Sequence, residues 1–271
     1  MALLHLNFES ECLGNNTDVS VILPDRPRDL SPAEFYSSGK KYPVLWLLHG
    51  TFGDYTDWIR KSMIEIYARE RNLIVVMPSG MNANYMNWPG FGTGYRAWDY
   101  LFDELMPLVH HWFPATDKRE GNFIAGLSMG GGGAIQYAAG HPEKFAGAAV
   151  LSYAPSNLHN TVLDPPQASG DQAAFNRRTR NLVENFGGME GYLQSPLNVW
   201  DRLPELIRER NLPKLYFCCG KEDFLYDRYL AFKEYAQGLG LPAIFEEEEG
   251  YTHEWRFWDR YIQKALDFFG L

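Results

Sequence analysis

The segment FIAGLSMGGGGA, residues 123–134, is the part of the sequence most suited to chemistry, because one serine precedes methionine and four glycines. Two phosphate-binding patterns can be excluded. A P-loop requires a lysine after its last glycine, and here Ala134 and Ile135 follow Gly133. The dinucleotide pattern G-x-G-x-x-G fails because Ile135 stands where the third glycine would be required. A loop that cradles a phosphate is therefore not predicted.

The same segment matches the pattern G-x-S-x-G, with Ser128 between Gly126 and Gly130. An apolar strand pattern precedes it and an alanine-rich helical pattern follows it. In such a strand-to-helix turn the serine is held in a strained backbone conformation, and small flanking residues let strand and helix approach each other. Ser128 is therefore predicted to be a nucleophile. The pattern requires only two glycines, so the role of the additional glycines 131–133 stays open.

A serine hydroxyl is a weak nucleophile, so the sequence must also supply a base and an acid that orients it. Of the seven histidines, His253 lies where the chain order serine, acid, histidine places the base. The acid should follow the strand KLYFCCG, where Asp223 is the preferred candidate because the glycine allows a sharp turn into that loop. Glu222 is the alternative. Asp227 is better explained as a first-turn helix residue that favours the helix dipole.

Acyl transfer also needs backbone N–H donors for the oxyanion that develops on the carbonyl. One donor is expected from Met129, the residue after the nucleophile. The other should come from the loop after the strand VLWLLHG, where Thr51 is the first candidate and Phe52 the second. His49 either braces this loop or is a turn residue with no catalytic part.

The elements that position these residues follow a strand–helix alternation. Continuous apolar runs such as YPVLWLLHG and LIVVMP are typical of strands buried on both faces, and helical spacing separates them. The fold class predicted is α/β, a mostly parallel, doubly wound sheet with helices on both faces. After the N-terminal strands and a first helix around Trp58 to Tyr67, the predicted elements are helix Trp98–Trp112, strand Asn122–Ala125, helix Gly131–Ala139, strand Ala146–Ser152, strand Lys214–Cys219, helix Tyr226–Leu239, strand Ala243–Glu248 and helix Trp255–Phe269.

The recurring apolar runs that predict strands are absent between Ala154 and Asn211. This stretch is predicted to be an insertion, at about residues 155–210, with one or two short helices over the C-terminal edge of the sheet. No internal repeat or low-complexity linker supports a second domain, so residues 1–271 are predicted to form a single domain. The run EEEE at 246–249 is interpreted as a solvated strand end.

Composition narrows the classes of partner. The net charge of −9, with no basic cluster, argues against binding nucleic acid or an anionic membrane and favours a small, mostly uncharged substrate. No leader pattern or apolar run of about 20 residues occurs, so a cytoplasmic location is expected. Cys12, Cys218 and Cys219 are interpreted as buried thiols, and neither C-x-x-C nor H-E-x-x-H is present. No metal and no cofactor are expected.

Taken together, these segments resemble the α/β-hydrolase esterases of the esterase D group, most closely the tributyrin esterase and cinnamoyl/feruloyl esterase branch, which is similar to carbohydrate esterase family 1. The segments that carry the resemblance are LLHGTFGDYTDW at 47–58, NLIVVMPSG at 72–80, FIAGLSMGGGGA at 123–134, CCGKEDFLY at 218–226 and GYTHEWRFWD at 250–259. The resemblance implies a triad of Ser128, Asp223 and His253, an oxyanion hole at Thr51 and Met129, and no metal. It is compatible with a homo-oligomer.

The function that we expect from the sequence is hydrolysis of short-chain acyl esters through an acyl-enzyme. Feruloyl, cinnamoyl or acetylxylan-type esters are the alternative, followed by S-formylglutathione hydrolysis and a non-catalytic binding role. The chain reads HGTFG where S-formylglutathione hydrolases typically have HGLTC, which argues against that activity. Aromatic residues of two loops are predicted to wall the substrate pockets, namely Phe52, Trp58, Trp88 and Tyr95.

Overall fold

Eight strands form one mixed sheet in the computed structural model, which describes residues 1–159 and 170–271. Two further strands pair only with each other in the loop region after the fourth strand. The strands are β1 (Ala2–Ser10), β2 (Asn15–Leu23), β3 (Val44–Leu48), β4 (Ile74–Pro78), β5 (Asn87–Trp88), β6 (Tyr95–Arg96), β7 (Asn122–Leu127), β8 (Gly147–Leu151), β9 (Lys214–Gly220) and β10 (Ala243–Glu248).

Helices lie between the strands and over both faces of the sheet. A π-helical segment, Tyr100–Leu105, joins the fourth helix to the fifth, and a 3₁₀ turn, Arg119–Gly121, precedes β7. The helices are α1 (Pro32–Ser37), α2 (Asp57–Lys61), α3 (Ile64–Glu70), α4 (Ala97–Asp99), α5 (Met106–Trp112), α6 (Met129–Gly140), α7 (Gly170–Asn185), α8 (Met189–Leu193), α9 (Val199–Glu209), α10 (Tyr226–Gly238) and α11 (Trp255–Phe269).

The order of strands in the sheet is β1-β2-β4-β3-β7-β8-β9-β10. The first three strands in this order pair antiparallel, and every other neighbouring pair is parallel. The parallel strands β3, β7, β8, β9 and β10 therefore all end at the same edge of the sheet. The predicted fold class, a mostly parallel sheet flanked by helices, is confirmed.

Strand β3 shows why the centre of this sheet is buried on both faces. All five of its residues are buried, and they alternate between two hydrophobic clusters. Val44, Trp46 and Leu48 belong to the cluster packed against α5, α6, α9 and α10, whereas Leu45 and Leu47 face the cluster formed with α3 and α11. Successive side chains of a strand point to opposite faces, so a continuous apolar run is needed wherever helices cover both.

Several elements differ from the sequence-based prediction: α1, β5 and β6 were not predicted, and a π-helical segment interrupts the predicted helix Trp98–Trp112. The helix predicted around Trp58 to Tyr67 is broken: α2 ends at Lys61, Ser62 is extended, and α3 begins at Ile64. The insertion was expected to carry one or two short helices, but its described part carries α7, α8 and α9, of which α7 has 16 residues. The composition of α7 is polar with few apolar positions, so its sequence shows little helical periodicity. Part of the predicted insertion, residues 160–169, lies outside the described residues. The single-domain organisation stays a prediction.

Candidate active site

The three residues predicted to act together follow three parallel strands at one edge of the sheet. Ser128 comes directly after β7, Asp223 lies three residues after β9, and His253 lies five residues after β10. In open α/β sheets, ligands bind outside the carboxyl ends of the strands. The sheet topology therefore brings together side chains that are up to 125 residues apart in sequence.

Ser128 occupies the sharp turn between β7 and α6. Its backbone has φ 52° and ψ −119°, a region that non-glycine residues rarely occupy. The turn requires small neighbours: a Cβ on Gly126 would collide with the backbone of Gly130, and a Cβ on Gly130 would lie 2.5 Å from the carbonyl oxygen of Leu48. The serine is buried at this turn, with 7% of its surface exposed.

The glycines that the serine pattern does not require have packing partners. A Cβ on Gly131 or Gly132 would lie 3.0 Å from the side chain of Tyr153, and a Cβ on Gly133 would lie 2.8 Å from the ring of Tyr85. Both tyrosines therefore pack directly against the backbone of α6. The role of glycines 131–133, which the sequence left open, is to allow this close packing of the two tyrosines.

A chain of hydrogen bonds links the three predicted residues. The Nε2 atom of His253 lies 2.8 Å from Oγ of Ser128, and its Nδ1 atom lies 2.8 Å from Oδ2 of Asp223. The second carboxylate oxygen, Oδ1, accepts the backbone N–H of Leu225 at 2.9 Å. With the Asp223 carboxylate ionised, Nδ1 carries the ring proton and Nε2 is the acceptor for the serine hydroxyl.

Aromatic rings hold the imidazole of His253 from two sides. Phe224 lies edge-on at 4.8 Å and Trp258 edge-on at 5.0 Å between ring centroids. The indole N–H of Trp258 donates to Oγ of Ser152 at 2.9 Å, which fixes the indole ring. Sequence reasoning did not identify Phe224 or Trp258, although the first is adjacent to Asp223 and the second follows His253 on the buried face of α11.

The alternative acids have other partners. Glu222 is exposed, and its carboxylate accepts the backbone N–H groups of Gly250 and Tyr251 at 2.8 and 3.0 Å. It therefore stabilises the loop that carries His253 without contacting the imidazole. Asp227 is exposed in the first turn of α10, as the dipole interpretation predicts.

The backbone N–H groups considered as oxyanion donors differ in whether they are already hydrogen-bonded within the protein. The backbone N–H of Phe52 donates to Oδ1 of Asn82 at 2.8 Å, and Phe52 has a positive φ of 63°. Within residues 1–159 and 170–271, the N–H groups of Thr51 and Met129 donate to no other group. Between the two loop candidates, Thr51 therefore offers the free donor.

His49 braces the loop that carries Thr51 from behind. Its Nδ1 atom lies 2.7 Å from the carbonyl oxygen of Gly50, and its Nε2 atom accepts the backbone N–H of Gly80 at 2.8 Å. Burial lowers the pKa of the imidazole, the expected response of a group that becomes cationic on protonation. The neutral ring, with its proton on Nδ1, satisfies both contacts.

The four aromatic residues predicted to wall the pockets lie in three different environments. Phe52 is 86% exposed, at the surface of the loop. Trp58 is only 1% exposed and packs in the core, where its indole N–H donates to the carbonyl oxygen of Leu48. Trp88 and Tyr95 line a separate apolar cavity of about 260 Å³, together with Met81, Asn82, Ala83 and Phe91. The structure does not bring Trp58 to the surface of a pocket.

A second cavity, of about 60 Å³, opens directly onto Ser128. Its walls come from α6, from the segment after β8, and from the insertion and α10. Sequence reasoning found none of the wall residues beyond Ser128 and Met129, because their meeting depends on the fold. The other lining residues are Asn84, Gly132, Gln136, Tyr153, Ser156, Leu158, Phe175, Arg178, Thr179, Leu182, Tyr192 and Arg228.

Other sequence-based expectations concern metals and thiols. Over the described ranges, no three histidine, cysteine or acidic side chains are grouped closely enough to hold a metal ion. Cys12, Cys218 and Cys219 are buried free thiols, and burial raises the pKa of Cys12 to about 11. None of the helices in those ranges combines the length and the apolar character needed to cross a membrane.

Several known proteins are similar to this chain in both sequence and fold. The family model described as "Putative esterase" matches residues 10–185. An acetyl esterase of Caldicellulosiruptor saccharolyticus is 31% identical over 269 residues, which cover 98% of this chain and 97% of that protein. The fluorophosphonate-binding serine hydrolase F of Staphylococcus aureus superposes with a TM-score of 0.79 at 30% identity, covering 99% of this chain and 98% of that one. An S-formylglutathione hydrolase from the same species superposes with a TM-score of 0.77 at 32% identity, again covering 99% of this chain and 98% of that one.

The fold and these relatives define the class of protein: a carboxylic ester hydrolase with the α/β-hydrolase fold. Within that class, the chain belongs to the esterase family whose model it matches over residues 10–185.

Proposed function

We propose that this esterase is a serine carboxylesterase that hydrolyses short-chain acyl esters with Ser128, His253 and Asp223 as its catalytic triad. The observation that carries the proposal is the hydrogen-bonded chain from hydroxyl to imidazole to carboxylate, with both contacts at 2.8 Å. Nucleophile, base and orienting acid within hydrogen-bond reach are the arrangement that makes a serine reactive.

In the proposed mechanism, Oγ of Ser128 attacks the ester carbonyl while Nε2 of His253 takes the hydroxyl proton. Asp223 holds the imidazole orientation and stabilises the imidazolium that forms. The N–H groups of Thr51 and Met129 donate to the carbonyl oxygen as it becomes negative. The imidazolium then protonates the leaving alcohol, which leaves an acyl-enzyme on Ser128. A water molecule, deprotonated by His253, attacks this acyl-enzyme, and the imidazolium returns the proton to Oγ of Ser128 as the acid is released.

The preference for short acyl groups rests on the cavity beside Ser128. Its volume of about 60 Å³ leaves space for only a few water-sized groups, which suits an acetyl or similar acyl chain. The acetyl esterase relative supports the same substrate class. The apolar cavity around Trp88 is larger, about 260 Å³, but no proposed catalytic residue lines it, so it does not favour the feruloyl alternative.

A series of p-nitrophenyl esters from acetate to decanoate, assayed beside methyl ferulate and S-formylglutathione, tests this proposal. We expect kcat/KM to be highest with acetate to butyrate and to fall steeply for longer chains. Preference for methyl ferulate or S-formylglutathione would instead support one of the alternative activities. The variant Ser128→Ala is the control for background hydrolysis, and turnover of every ester at the wild-type rate by this variant would refute the proposed nucleophile.

A further inference from the structure

The cavity that opens onto Ser128 contains two cationic side chains. Arg178 comes from α7 of the insertion and Arg228 from the first turn of α10, and both line the cavity together with the proposed nucleophile. Positive charge at this place is unexpected, because the chain has a net charge of −9 and its composition favoured an uncharged substrate.

Among the residues that the structure describes, no carboxylate pairs with either arginine. Asp171 favours the charged form of Arg178 without forming an ion pair with it. Both side chains are half-buried, and burial lowers the pKa of both. A half-buried cation without an anionic partner is costly unless a ligand supplies the charge.

The guanidinium of Arg228 is held in place by the protein. It lies over the ring of Phe175 at 4.3 Å from the centroid, and its Nη2 atom donates to Oδ1 of Asn176 at 3.4 Å. Asn176 is fixed in turn by the side-chain amide of Gln172 at 2.8 Å. Because a guanidinium has five N–H donors, this arrangement leaves most of them for a ligand.

A further polar side chain in the cavity, Gln136, has an amide oxygen without a partner among the described residues. Gln136, on α6, is only 6% exposed, and its Oε1 atom makes no hydrogen bond within the described part of the chain. Since the amide O and N positions can be exchanged by rotation, this side chain can present either a donor or an acceptor to a ligand. Buried polar groups normally have partners, so an unpartnered amide beside two arginines indicates a binding site.

We propose that this cavity binds a carboxylate carried by the ester substrate, with Arg178 and Arg228 as the binding residues and Gln136 as a further donor. The proposal rests on the proposed function, because it defines the substrate class of the same site. A guanidinium suits this task because its planar donors match the two oxygens of a carboxylate. The enzyme would thus prefer esters that carry a negative charge over neutral esters of the same shape.

Two pairs of substrates test the charge preference and locate the carboxylate. Monomethyl succinate and methyl succinamate differ only in the charge of the acyl part, and 4-acetoxybenzoate and 4-acetoxybenzamide only in that of the alcohol part. In at least one pair, the ratio of kcat/KM for the anionic ester to that for the neutral ester should fall by on the order of tenfold or more in Arg228→Gln and in Arg178→Gln.

Matched variants separate a local charge effect from a general one. Arg177→Gln removes an exposed charge from the same helix and should leave the ratio within about twofold of wild type, and Arg228→Lys should retain part of the preference. Unchanged ratios for both substrate pairs in the correctly folded Arg228→Gln variant would overturn the proposal.

Binding without turnover distinguishes this proposal from the proposed function. Calorimetric titration of Ser128→Ala with monomethyl succinate and 4-acetoxybenzoate, each against its neutral partner, measures recognition separately from chemistry. We expect the anionic ester of at least one pair to bind on the order of tenfold more tightly than its neutral partner, and Arg228→Gln in the same background to remove the difference. Equal binding within both pairs would refute carboxylate recognition even if the enzyme hydrolyses esters. Absence of hydrolysis by the wild-type protein, with charge-selective binding intact, would refute only the proposed function.

Discussion

Two adjacent acids, Glu222 and Asp223, differ in what each carboxylate contacts. Asp223 is buried and accepts hydrogen bonds from the His253 imidazole and from the N–H of Leu225. Glu222 is exposed and accepts two backbone N–H groups of the loop before the histidine. The first acid is placed to orient the proposed base, and the second to stabilise the loop on which that base lies.

Substitution of each acid by its amide separates these roles. Asp223→Asn should lower kcat for p-nitrophenyl acetate by on the order of 10⁴-fold, because an asparagine amide can hold the wrong tautomer of the imidazole. Glu222→Gln keeps a side-chain oxygen that accepts the N–H groups of Gly250 and Tyr251, so kcat should stay within about tenfold of wild type. Steady-state kinetics on both folded variants measures the difference, and a larger loss in Glu222→Gln would reverse the assignment.

At the scale of residues, sequence reasoning selected three side chains that the structure brings within hydrogen-bond distance, but it did not predict every environment. Ser128 and His253 could be proposed because the serine turn is a short local pattern and the order of the three residues can be read along the chain. Asp223 and Glu222 could not be separated with certainty, because side-chain direction within one turn is not encoded in a short pattern. Trp58 was expected in a pocket but lies in the core, since its side chain packs in the hydrophobic cluster formed with α3 and α11. Arg178 and Arg228 line the same cavity because α7 and α10 contact each other, and such a long-range contact cannot be read from the sequence.

The loop between β3 and α2 is the element on which the proposed oxyanion hole depends. His49, directly after β3, connects the Gly50 carbonyl to the N–H of Gly80 in the loop after β4. The neutral ring is required, because a protonated imidazole cannot accept the N–H of Gly80. The position of Thr51 is thus coupled to the protonation state of a buried histidine.

This coupling predicts a pH dependence of the free energy of unfolding. The pKa of His49 in the folded protein lies below its ordinary value of 6.5, whereas in the unfolded chain it returns to about that value. As the pH falls below 6.5, the unfolded chain takes up the proton first, so the contribution of His49 to stability is complete above that pH and is lost on acidification. The slope from this one group cannot exceed ~1.4 kcal/mol per pH unit.

Urea unfolding of the wild-type protein and of His49→Gln, measured at intervals from pH 7.5 to 5, checks this prediction. The variant should be less stable at pH 7.5 and should lose less stability on acidification, because it lacks the titrating ring. The pKa of His110 is also lowered by burial, and this group contributes equally to both proteins. Parallel curves for the two proteins would show that protonation of His49 is not coupled to folding.

Elements with a strong apolar pattern were predictable, and polar elements were not. Helix α11 has the predicted bounds, Trp255–Phe269, because its buried residues recur at helical spacing along one face. The strands at the centre of the sheet were visible as continuous apolar runs. Helix α7 has only two residues in the buried class, Asn176 and Val183, so its sequence carried little information about its length. Its role in the cavity depends on tertiary contacts.

At the scale of the whole molecule, the candidate site is formed by residues from distant segments of the chain, which the sheet brings together. Ser128, Asp223 and His253 follow β7, β9 and β10, and residues of the insertion line the cavity beside the serine. Overall charge is a poor guide to such a site: the chain carries −9, yet two arginines face the cavity beside the serine. Reactivity at Ser128 should therefore require the complete fold.

Labelling with a fluorophosphonate, followed by mass-spectrometric mapping of the modified peptide, tests the central claim most directly, because the reagent modifies serines activated by a neighbouring base. We expect one adduct, on Ser128, in the native protein, with no adduct on that residue in His253→Ala or in urea-unfolded protein within the same time. Modification of a different residue in the native protein, or labelling of Ser128 at the same rate after unfolding, would contradict a nucleophile activated by the assembled triad.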